Sequence, residues 1–161
     1  MAAWTTDMVL IVRGLITDLV VPYTYTDERL QELICIGAVL TMQEVDFVRS
    51  YTVDLSATTI VIDPSIAGDA DFEALVSLRT ACLISQGEHR NAAKTAFSVK
   101  DGPAFVDTKD RAKHLGDLAD DACTAYTRAK ANYQMGDGSL GRAIVGPYAA
   151  GNSPDTGRRF S

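Results

Sequence analysis

The sequence is short of the residues that most protein chemistry requires. Its 161 residues include only two histidines, His89 and His114, and three cysteines, Cys35, Cys82 and Cys123. Neither histidine has a carboxylate or cysteine at the spacing of a metal site, so each is expected on the solvated surface of a helix. The cysteines lie far apart and are odd in number, and we therefore expect them to be buried and reduced.

Long apolar runs are also missing. No run approaches the about 18–20 residues that a membrane span needs, and the first residues lack the positive flank of a secretory signal. We therefore expect no membrane partner and synthesis in the cytoplasm without export. Hydrophobic residues make up 47% of the chain and charged residues 22%. These proportions are typical of a soluble globular domain that can bury a core.

Motifs for catalysis or cofactor binding are equally scarce. The sequence contains no Gly-x-Ser-x-Gly elbow, no phosphate loop and no Cys-x-x-Cys pair. Residues 136–141 match the dinucleotide-binding glycine pattern, but they follow a predicted helix rather than a strand. An acidic cluster between residues 63 and 73 lacks the spacing of a calcium loop, and charges at a helix N-terminus explain it better. The sequence thus predicts no enzyme, no cofactor and no metal.

Charge is distributed unevenly along the chain, whose net charge is −6. Residues 27–73 contain ten acids and two bases, whereas residues 74–161 contain twelve bases and nine acids. Such a dipolar chain suits head-to-tail contact with copies or partners, although ordinary solvated helix faces explain the split equally well. The basic clusters, such as Arg158-Arg159, are too small to predict sequence-specific nucleic-acid binding.

Apolar residues at helical spacing predict two helices in the first fifty residues. The first begins at Thr5 or Thr6 and is ended by Pro22. The second is capped by Thr26, and Gly37 in its middle should mark a close helix crossing, because glycine otherwise lowers helix stability. The predicted inward face of the first helix comprises Met8, Ile11, Val12, Leu15, Ile16 and Leu19.

Strands and two further helices are predicted after residue 50. β-Branched and alternating residues at 50–62 predict one or two short strands, closed by Asp63-Pro64. A third helix begins near Asp69 or Asp71 and extends to about Lys94. Residues 97–106 predict a hairpin with an Asp-Gly turn, followed by a fourth and longest helix. The fold class is therefore mainly α, a small bundle of about four helices with a short β-hairpin and an extended C-terminal arm.

The last segment, residues 136–161, differs in kind from the rest. Six glycines and two prolines interrupt any regular element, yet residues 143–145 and Tyr148 are too apolar for a solvated tail. We interpret this segment as an extended arm that becomes ordered on a partner. The chain accordingly divides into a helical domain, residues 1–135, and a docking arm, residues 136–161.

Four local patterns together resemble the head–tail connector (adaptor) proteins of tailed bacteriophages. The resemblance spans residues 10–150 and rests on the order and character of the segments rather than on a diagnostic motif. The patterns are residues 15–18 followed by 25–30, residues 51–55 leading into 60–64 and 71–75, residues 97–102 leading to 106–108 and the long helix with Tyr126, and Gly-Arg-Ala-Ile-Val-Gly-Pro-Tyr at 141–148.

The resemblance implies a structural protein of the virion, located in the neck between capsid and tail and made in the host cytoplasm. Members of that family are helical-bundle subunits that form a twelvefold ring beneath the portal and extend the DNA channel. The implied partners are copies of the chain in a dodecameric ring, the portal protein, the next neck or tail protein, and double-stranded DNA passing non-specifically. The implied portal-docking segment consists of Arg142, Ala143, Ile144, Val145, Pro147 and Tyr148.

An acidic channel lining would let DNA slide, because like charges oppose phosphate contact. The candidate lining residues are Asp27, Glu28, Glu32, Glu44 and Asp46. Three alternatives stay open: another phage neck or tail-completion ring protein, a small helical module that binds host proteins through the arm, and an enzyme that uses a thiol.

Overall fold

The computed structural model describes residues 2–96, 98–101, 104–107 and 109–136 of the chain. These residues form helices and two separate two-stranded antiparallel sheets, so the predicted mainly helical bundle with a short β-hairpin is confirmed. The elements in chain order are α1 (Trp4–Leu15), α2 (Asp27–Glu44), β1 (Thr52–Asp54), β2 (Thr59–Val61), α3 (Pro64–Ala67), α4 (Ala70–Thr95), β3 (Ser98–Asp101), β4 (Ala104–Asp107) and α5 (Lys109–Gly136).

The main core lies between α1, α2 and the first half of α4. Its largest fully buried side chains are Trp4, Met8, Leu30, Ile34 and Phe72. Burial of each such side chain contributes about 1.5–3 kcal/mol, which makes this core the principal source of stability. A second, smaller cluster joins the end of α2 to α4 and α5.

The crossing of α2 over α4 takes place at Gly37, as the sequence predicts. A Cβ atom added to Gly37 would lie 2.4 Å from Oγ1 of Thr80 and 3.4 Å from the carbonyl oxygen of Val76. Since real Cβ atoms do not approach other atoms so closely, only glycine permits this helix separation.

Two of the predicted helix starts are confirmed by their capping hydrogen bonds. Thr26 accepts a hydrogen bond from the backbone N–H of Arg29 at the start of α2. Asp69 accepts one from the N–H of Phe72 at the start of α4. Each cap satisfies a backbone donor that has no partner inside the helix.

The prediction for α1 is wrong at both ends. Neither predicted threonine caps it, because the carboxylate of Asp63 accepts hydrogen bonds from the backbone N–H groups of Ala3 and Trp4. The helix ends at Leu15 rather than at Pro22, and Thr17 adopts a left-handed backbone with φ 59°.

The inward face of α1 is also different from the predicted face. Met8 and Val12 are buried as expected and Ile16 packs partly buried against the core, while Trp4 and Val9 complete the buried face. Ile11, Leu15 and Leu19 are all at least 40% exposed, so the prediction is wrong for these three residues.

A one-turn helix, α3, was not predicted. Asp63 caps it through the N–H groups of Ser65 and Ile66, while Pro64 occupies its first turn, where proline is tolerated. Asp63 therefore begins α3 locally and caps α1 from a distance of 60 residues.

Both sheets are β-hairpins. In the first, β1 pairs with β2 and Val53 lies opposite Ile60. In the second, β3 pairs with β4, and the register places Asp101 opposite Ala104. Asp101 therefore belongs to the strand, and Gly102, the second residue of the predicted Asp-Gly turn, lies outside the described residues.

The last described helix, α5, runs antiparallel along α4 and is joined to it covalently. Cys82 of α4 and Cys123 of α5 form a disulfide across 41 residues of sequence. The prediction of reduced cysteines is wrong for these two, because helix packing brings their Cα atoms to 4.7 Å. It is confirmed for Cys35, which is free and buried; burial raises the pKa of its thiol to about 11.

Candidate interaction surfaces

The side chains that commonly bind metals do not cluster among the described residues. No group of three or more histidine, cysteine or acidic side chains is placed to bind a metal within these ranges. Of the two histidines, His114 is exposed as expected, whereas His89 is half-buried against Gly116. Among the described helices, none combines the length and apolar character needed to cross a membrane.

The five candidate channel acids do not form one face. Asp27, Glu28 and Glu32 lie in the first turns of α2, whereas Glu44 ends the helix and Asp46 follows it. At 1.5 Å per residue, the two groups are about 20 Å apart along the helix. The structure therefore separates these acids into two clusters at opposite ends of the bundle.

Three of the five acids also form ion pairs. Asp27 lies 2.6 Å from the Arg13 guanidinium, and Glu32 lies 2.7 Å from Arg29. Glu44 contacts two cations, as described below. Within the described ranges only Glu28 and Asp46 of the five have no ion pair, and both are exposed.

Glu44 is the centre of a polar junction between α2, α4 and α5. Its carboxylate lies 3.0 Å from the Arg79 guanidinium and 2.8 Å from the Lys130 ammonium. It also accepts a hydrogen bond of 3.0 Å from the hydroxyl of Tyr126. The hydrogen bond from Lys130 is the largest cause of a lowered Glu44 pKa, which holds the carboxylate ionised.

Arg13 organises the loop that joins α1 to α2, residues 16–26. This arginine is 4% exposed, and its guanidinium donates to Asp18, to the carbonyl oxygen of Tyr25 and to Asp27 at 2.6–2.9 Å. It also lies over the ring of Tyr23, 3.9 Å from the centroid. One side chain thus fixes both ends of the loop.

Asp18 completes the same junction from inside the loop. Its carboxylate accepts hydrogen bonds from the backbone N–H groups of Thr24 and Tyr25. Burial raises the pKa of Asp18, but these hydrogen bonds and the Arg13 charge outweigh that cause, so the pKa lies below its usual value. Asp18 therefore points inward, whereas the three threonines of the loop, Thr17, Thr24 and Thr26, are exposed.

Three consecutive apolar residues of the same loop are exposed, whereas Ile16 and Tyr25 pack partly buried against the core. Val20 and Val21 are 78% and 72% exposed, and Leu19 is more than half exposed. We call Leu19, Val20 and Val21 the loop patch. A run of exposed apolar residues on a loop fixed by buried ion pairs is typical of a protein-interaction surface rather than of a free monomer surface.

A second apolar patch lies at the other end of the bundle. Val61 and Ile62 are more than half exposed at the end of β2, and Ile66 of α3 is 78% exposed. We call these three residues the hairpin patch. Ile62 has a left-handed backbone with φ 64°, a conformation that β-branched residues rarely adopt. The chain therefore keeps an exposed isoleucine where asparagine or glycine would be less strained.

Two sets of contacts show that the patches lie at opposite ends. The hydroxyl of Tyr25 donates to Glu88, which places the loop patch beside the second half of α4. The hydroxyl of Tyr51 donates to Asp69, and Ala3 donates to Asp63, which places the hairpin patch beside the starts of α4 and α1. The length of α4 separates the two.

An open groove borders the loop on its α5 side. It has a volume of about 440 Å³ and is lined mainly by small or apolar side chains from the end of α1, from α4 and from α5, including Leu15, Ile16, Leu78, Leu115, Leu118 and Ala122. Two acids, Glu88 and Asp121, also line it. It holds no convergent set of polar groups that would orient a small ligand.

The predicted portal-docking residues, from Arg142 to Tyr148, lie outside the described residues. The described residues reach Gly136, the last residue of α5. Tyr133, close to this point, packs against Phe47 with ring centroids 5.6 Å apart. The C-terminal end of α5 therefore lies at the same end of the bundle as the hairpin patch.

The sequence missed the loop and its arginine junction. The available signal was a lone arginine within the apolar run from Met8 to Ile16, followed five residues later by Asp18. A buried arginine requires a partner of opposite charge, and Asp18, the next acid after Arg13 along the chain, is that partner.

Comparison with known proteins identifies no relative. No protein-family profile matches the sequence. No curated protein and no solved structure matches the chain either.

Proposed function

We propose that the chain is a structural subunit of a bacteriophage head-to-tail connector ring, which docks onto the portal and extends the DNA channel. The observation that carries the proposal is the pair of exposed apolar patches, which lie at opposite ends of a helical bundle whose core side chains are buried. A subunit that stacks between neighbours needs contact surfaces at more than one place, whereas an enzyme needs one concave site.

The order of the elements supports the same proposal. A capped α2, a hairpin closed by Asp63 and Pro64, a second hairpin and a long α5 with buried Tyr126 follow the order of the segments that resemble connector proteins. The proposed arm, residues 136–161, begins where α5 ends. Its apolar residues 143–145 and Tyr148 are the proposed anchors on the portal.

The proposed acidic lining of the channel contains fewer unpaired acids than the sequence indicates. Because Asp27, Glu32 and Glu44 are paired with cations, the acidic lining rests on Glu28 and Asp46. Two exposed carboxylates per subunit, repeated around a ring, still oppose contact with DNA phosphates.

The test is reconstitution of the purified chain with the portal protein of the same phage, followed by electron microscopy. The expected product is a collar of this chain on the portal, with DNA able to pass through its centre. A variant that ends at residue 135 should keep the helical domain folded, reported by circular dichroism, and should not bind the portal.

A matched control is the full-length double variant Ile144→Asp/Tyr148→Asp, which changes the proposed anchors without shortening the chain. It should fail to bind in the same way as the truncated chain. Portal binding by either variant would contradict the role of the arm. Failure of the wild-type chain to bind at any concentration would contradict the proposed function itself.

A further inference from the structure

The open groove beside the loop, which we call the α4–α5 groove, presents apolar side chains to solvent. Leu15 and Leu118 of its lining are 43% and 46% exposed. The other apolar lining residues of the two long helices recur at helical spacing: Leu78 and Ala81 on α4, and Leu115, Ala122 and Ala125 on α5. Such stripes on neighbouring helices form a continuous surface against which a further apolar segment can pack.

The charged residues in this lining are both acids, Glu88 of α4 and Asp121 of α5. Within the described ranges, neither carboxylate forms an ion pair. Along residues 115–125, α5 carries three acids and no base. In the part of α4 that lines the groove, the single base, Arg79, is paired with Glu44. The groove therefore favours an occupant that is apolar and carries a positive charge.

The chain itself contains a segment with this complementary chemistry, at residues 138–148. Arg142 is the single charged residue of that segment. Its large apolar residues are Leu140, Ile144, Val145 and Tyr148. A base beside aliphatic and aromatic side chains matches a groove of aliphatic side chains with two acids in its lining.

The reach of this segment matches the length of the groove. The α5 residues that line the groove lie about 16–32 Å back along the helix from Gly136, with Asp121 at about 22 Å. An extended chain that starts at Gly136 reaches up to about 20 Å at Arg142 and about 40 Å at Tyr148. The surplus of about 8 Å over the length of the groove allows for a reversal of the chain, which Gly136 and Gly138 permit.

We infer that residues 140–148 of the free chain fold back into its own α4–α5 groove, where Ile144 and Tyr148 pack on the apolar lining and Arg142 pairs with Asp121. This inference goes beyond the proposed function and does not depend on it. The occupant is the segment of the same chain rather than that of another copy, because a short connection gives an effective concentration in the millimolar range. Ile144 and Tyr148 are also the proposed portal anchors, so the groove and the portal compete for them.

The decisive experiment is cross-linking within the full-length chain. The variant Leu118→Cys/Ile144→Cys places one thiol in the groove and one in the segment, and a short bismaleimide joins the two thiols through two thioether bonds. The matched control is Ile66→Cys/Ile144→Cys, because Ile66 is 78% exposed at the end of the bundle where α5 ends. A segment without preference for the groove reaches Ile66 at least as easily as Leu118. The native thiols do not interfere, since Cys35 is buried and the other two cysteines form a disulfide.

The groove variant should form an intramolecular cross-link at least about tenfold faster than the control, which corresponds to about 1.4 kcal/mol of preference for the groove. The rate should not change with protein concentration. Equal rates in the two variants would overturn the inference, because the segment then has no preference for the groove. Cross-linked dimers as the main product in dilute solution would also overturn it, because the segment then occupies the groove of another copy.

Substitutions in the groove variant test the chemistry of the contact. Arg142→Glu and Asp121→Arg should each slow the cross-link, and the two together should restore its rate, because the ion pair is then reversed. Tyr148→Asp should also slow the cross-link, whereas Ser153→Asp adds the same charge beyond the anchors and should not. Circular dichroism checks that each variant is folded. Rates that are indifferent to Arg142→Glu and to Tyr148→Asp would overturn the inference.

Because the cross-linking uses the chain without the portal, its outcome is separate from that of the portal experiment. A chain that binds the portal but shows no preference for the groove would contradict this inference and leave the connector role standing. A chain whose segment occupies the groove but which never binds the portal would do the reverse.

Discussion

Replacement of Gly37 by alanine tests the close crossing of α2 and α4. The added methyl group would lie 2.4 Å from the Thr80 hydroxyl oxygen and 3.4 Å from the Val76 carbonyl oxygen. The hydroxyl is itself held by a 2.8 Å hydrogen bond to that carbonyl, so it cannot move without leaving a buried donor unpaired. The helices must therefore separate or the hydrogen bond must break.

The expected magnitude follows from two opposing effects. Overpacking a close-packed core costs about 1–3 kcal/mol, whereas alanine in a helix interior is more favourable than glycine by about 1 kcal/mol. The free energy of unfolding of Gly37→Ala should therefore fall by up to about 2 kcal/mol. Gly87→Ala in α4 is the matched control, because a Cβ atom there meets nothing within 4 Å. That variant should gain up to about 1 kcal/mol.

The assay is urea denaturation followed by the fluorescence of Trp4, the single tryptophan, which is 1% exposed in the folded chain. A double variant, Gly37→Ala/Thr80→Ala, removes the clashing hydroxyl and should be more stable than the sum of the two single changes predicts, by about 0.5–3 kcal/mol. If Gly37→Ala gains as much stability as Gly87→Ala, or if the double variant shows no coupling, the crossing is not as close as described.

Three further perturbations probe the junctions that hold the bundle together. Arg13→Met leaves the Asp18 carboxylate buried without its cation and should lower the free energy of unfolding, measured in urea, by about 3–5 kcal/mol. A decrease below about 1 kcal/mol would show that the junction is solvated. The folded pKa of Asp18 is lowered from its usual 3.8. Its contribution to stability is therefore present above about pH 4 and is lost as the pH falls through the folded pKa. The difference in stability between the wild type and Asp18→Asn should shrink in acid, and a difference independent of pH would exclude this linkage. Cys82 and Cys123 are 41 residues apart, and reduction of their disulfide should lower the free energy of unfolding by about 4 kcal/mol. The stability of the Cys82→Ser/Cys123→Ser variant should not change with dithiothreitol. A wild type whose stability is equally unchanged would mean that the two thiols are not joined in solution.

Local signals in the sequence were sufficient for most helix boundaries. Thr26 and Asp69 cap α2 and α4 through hydrogen bonds to residues three positions later, and such caps depend only on neighbouring residues. Gly37 was informative for a related reason. A glycine that weakens its own helix implies a compensating contact, and the sequence alone indicates that the contact is a close one.

The candidate surfaces were less predictable. The acids from Asp27 to Glu44 share one helix, so their distance along it follows from the sequence, but their ion pairs with Arg13 and Lys130 are properties of the packed bundle. Leu19 of the loop patch was interpreted as part of the inward face of α1. Apolar residues continue at helical spacing past Leu15, and we found no pattern in the neighbouring residues that predicts the end of the helix at Leu15.

The sequence by itself determined the mainly helical architecture, the hairpin of β3 and β4, the short strands at residues 50–62 and the position of the crossing glycine, because each is indicated by residues within a few positions of one another. Only the tertiary structure decided that Asp63 caps α1, that Cys82 meets Cys123, and that Arg13 binds the buried Asp18 while the valines of the loop are exposed. The first two contacts join residues 41–60 positions apart. The third depends on a junction closed by α2. Their partners are selected by packing in three dimensions, which local patterns do not specify.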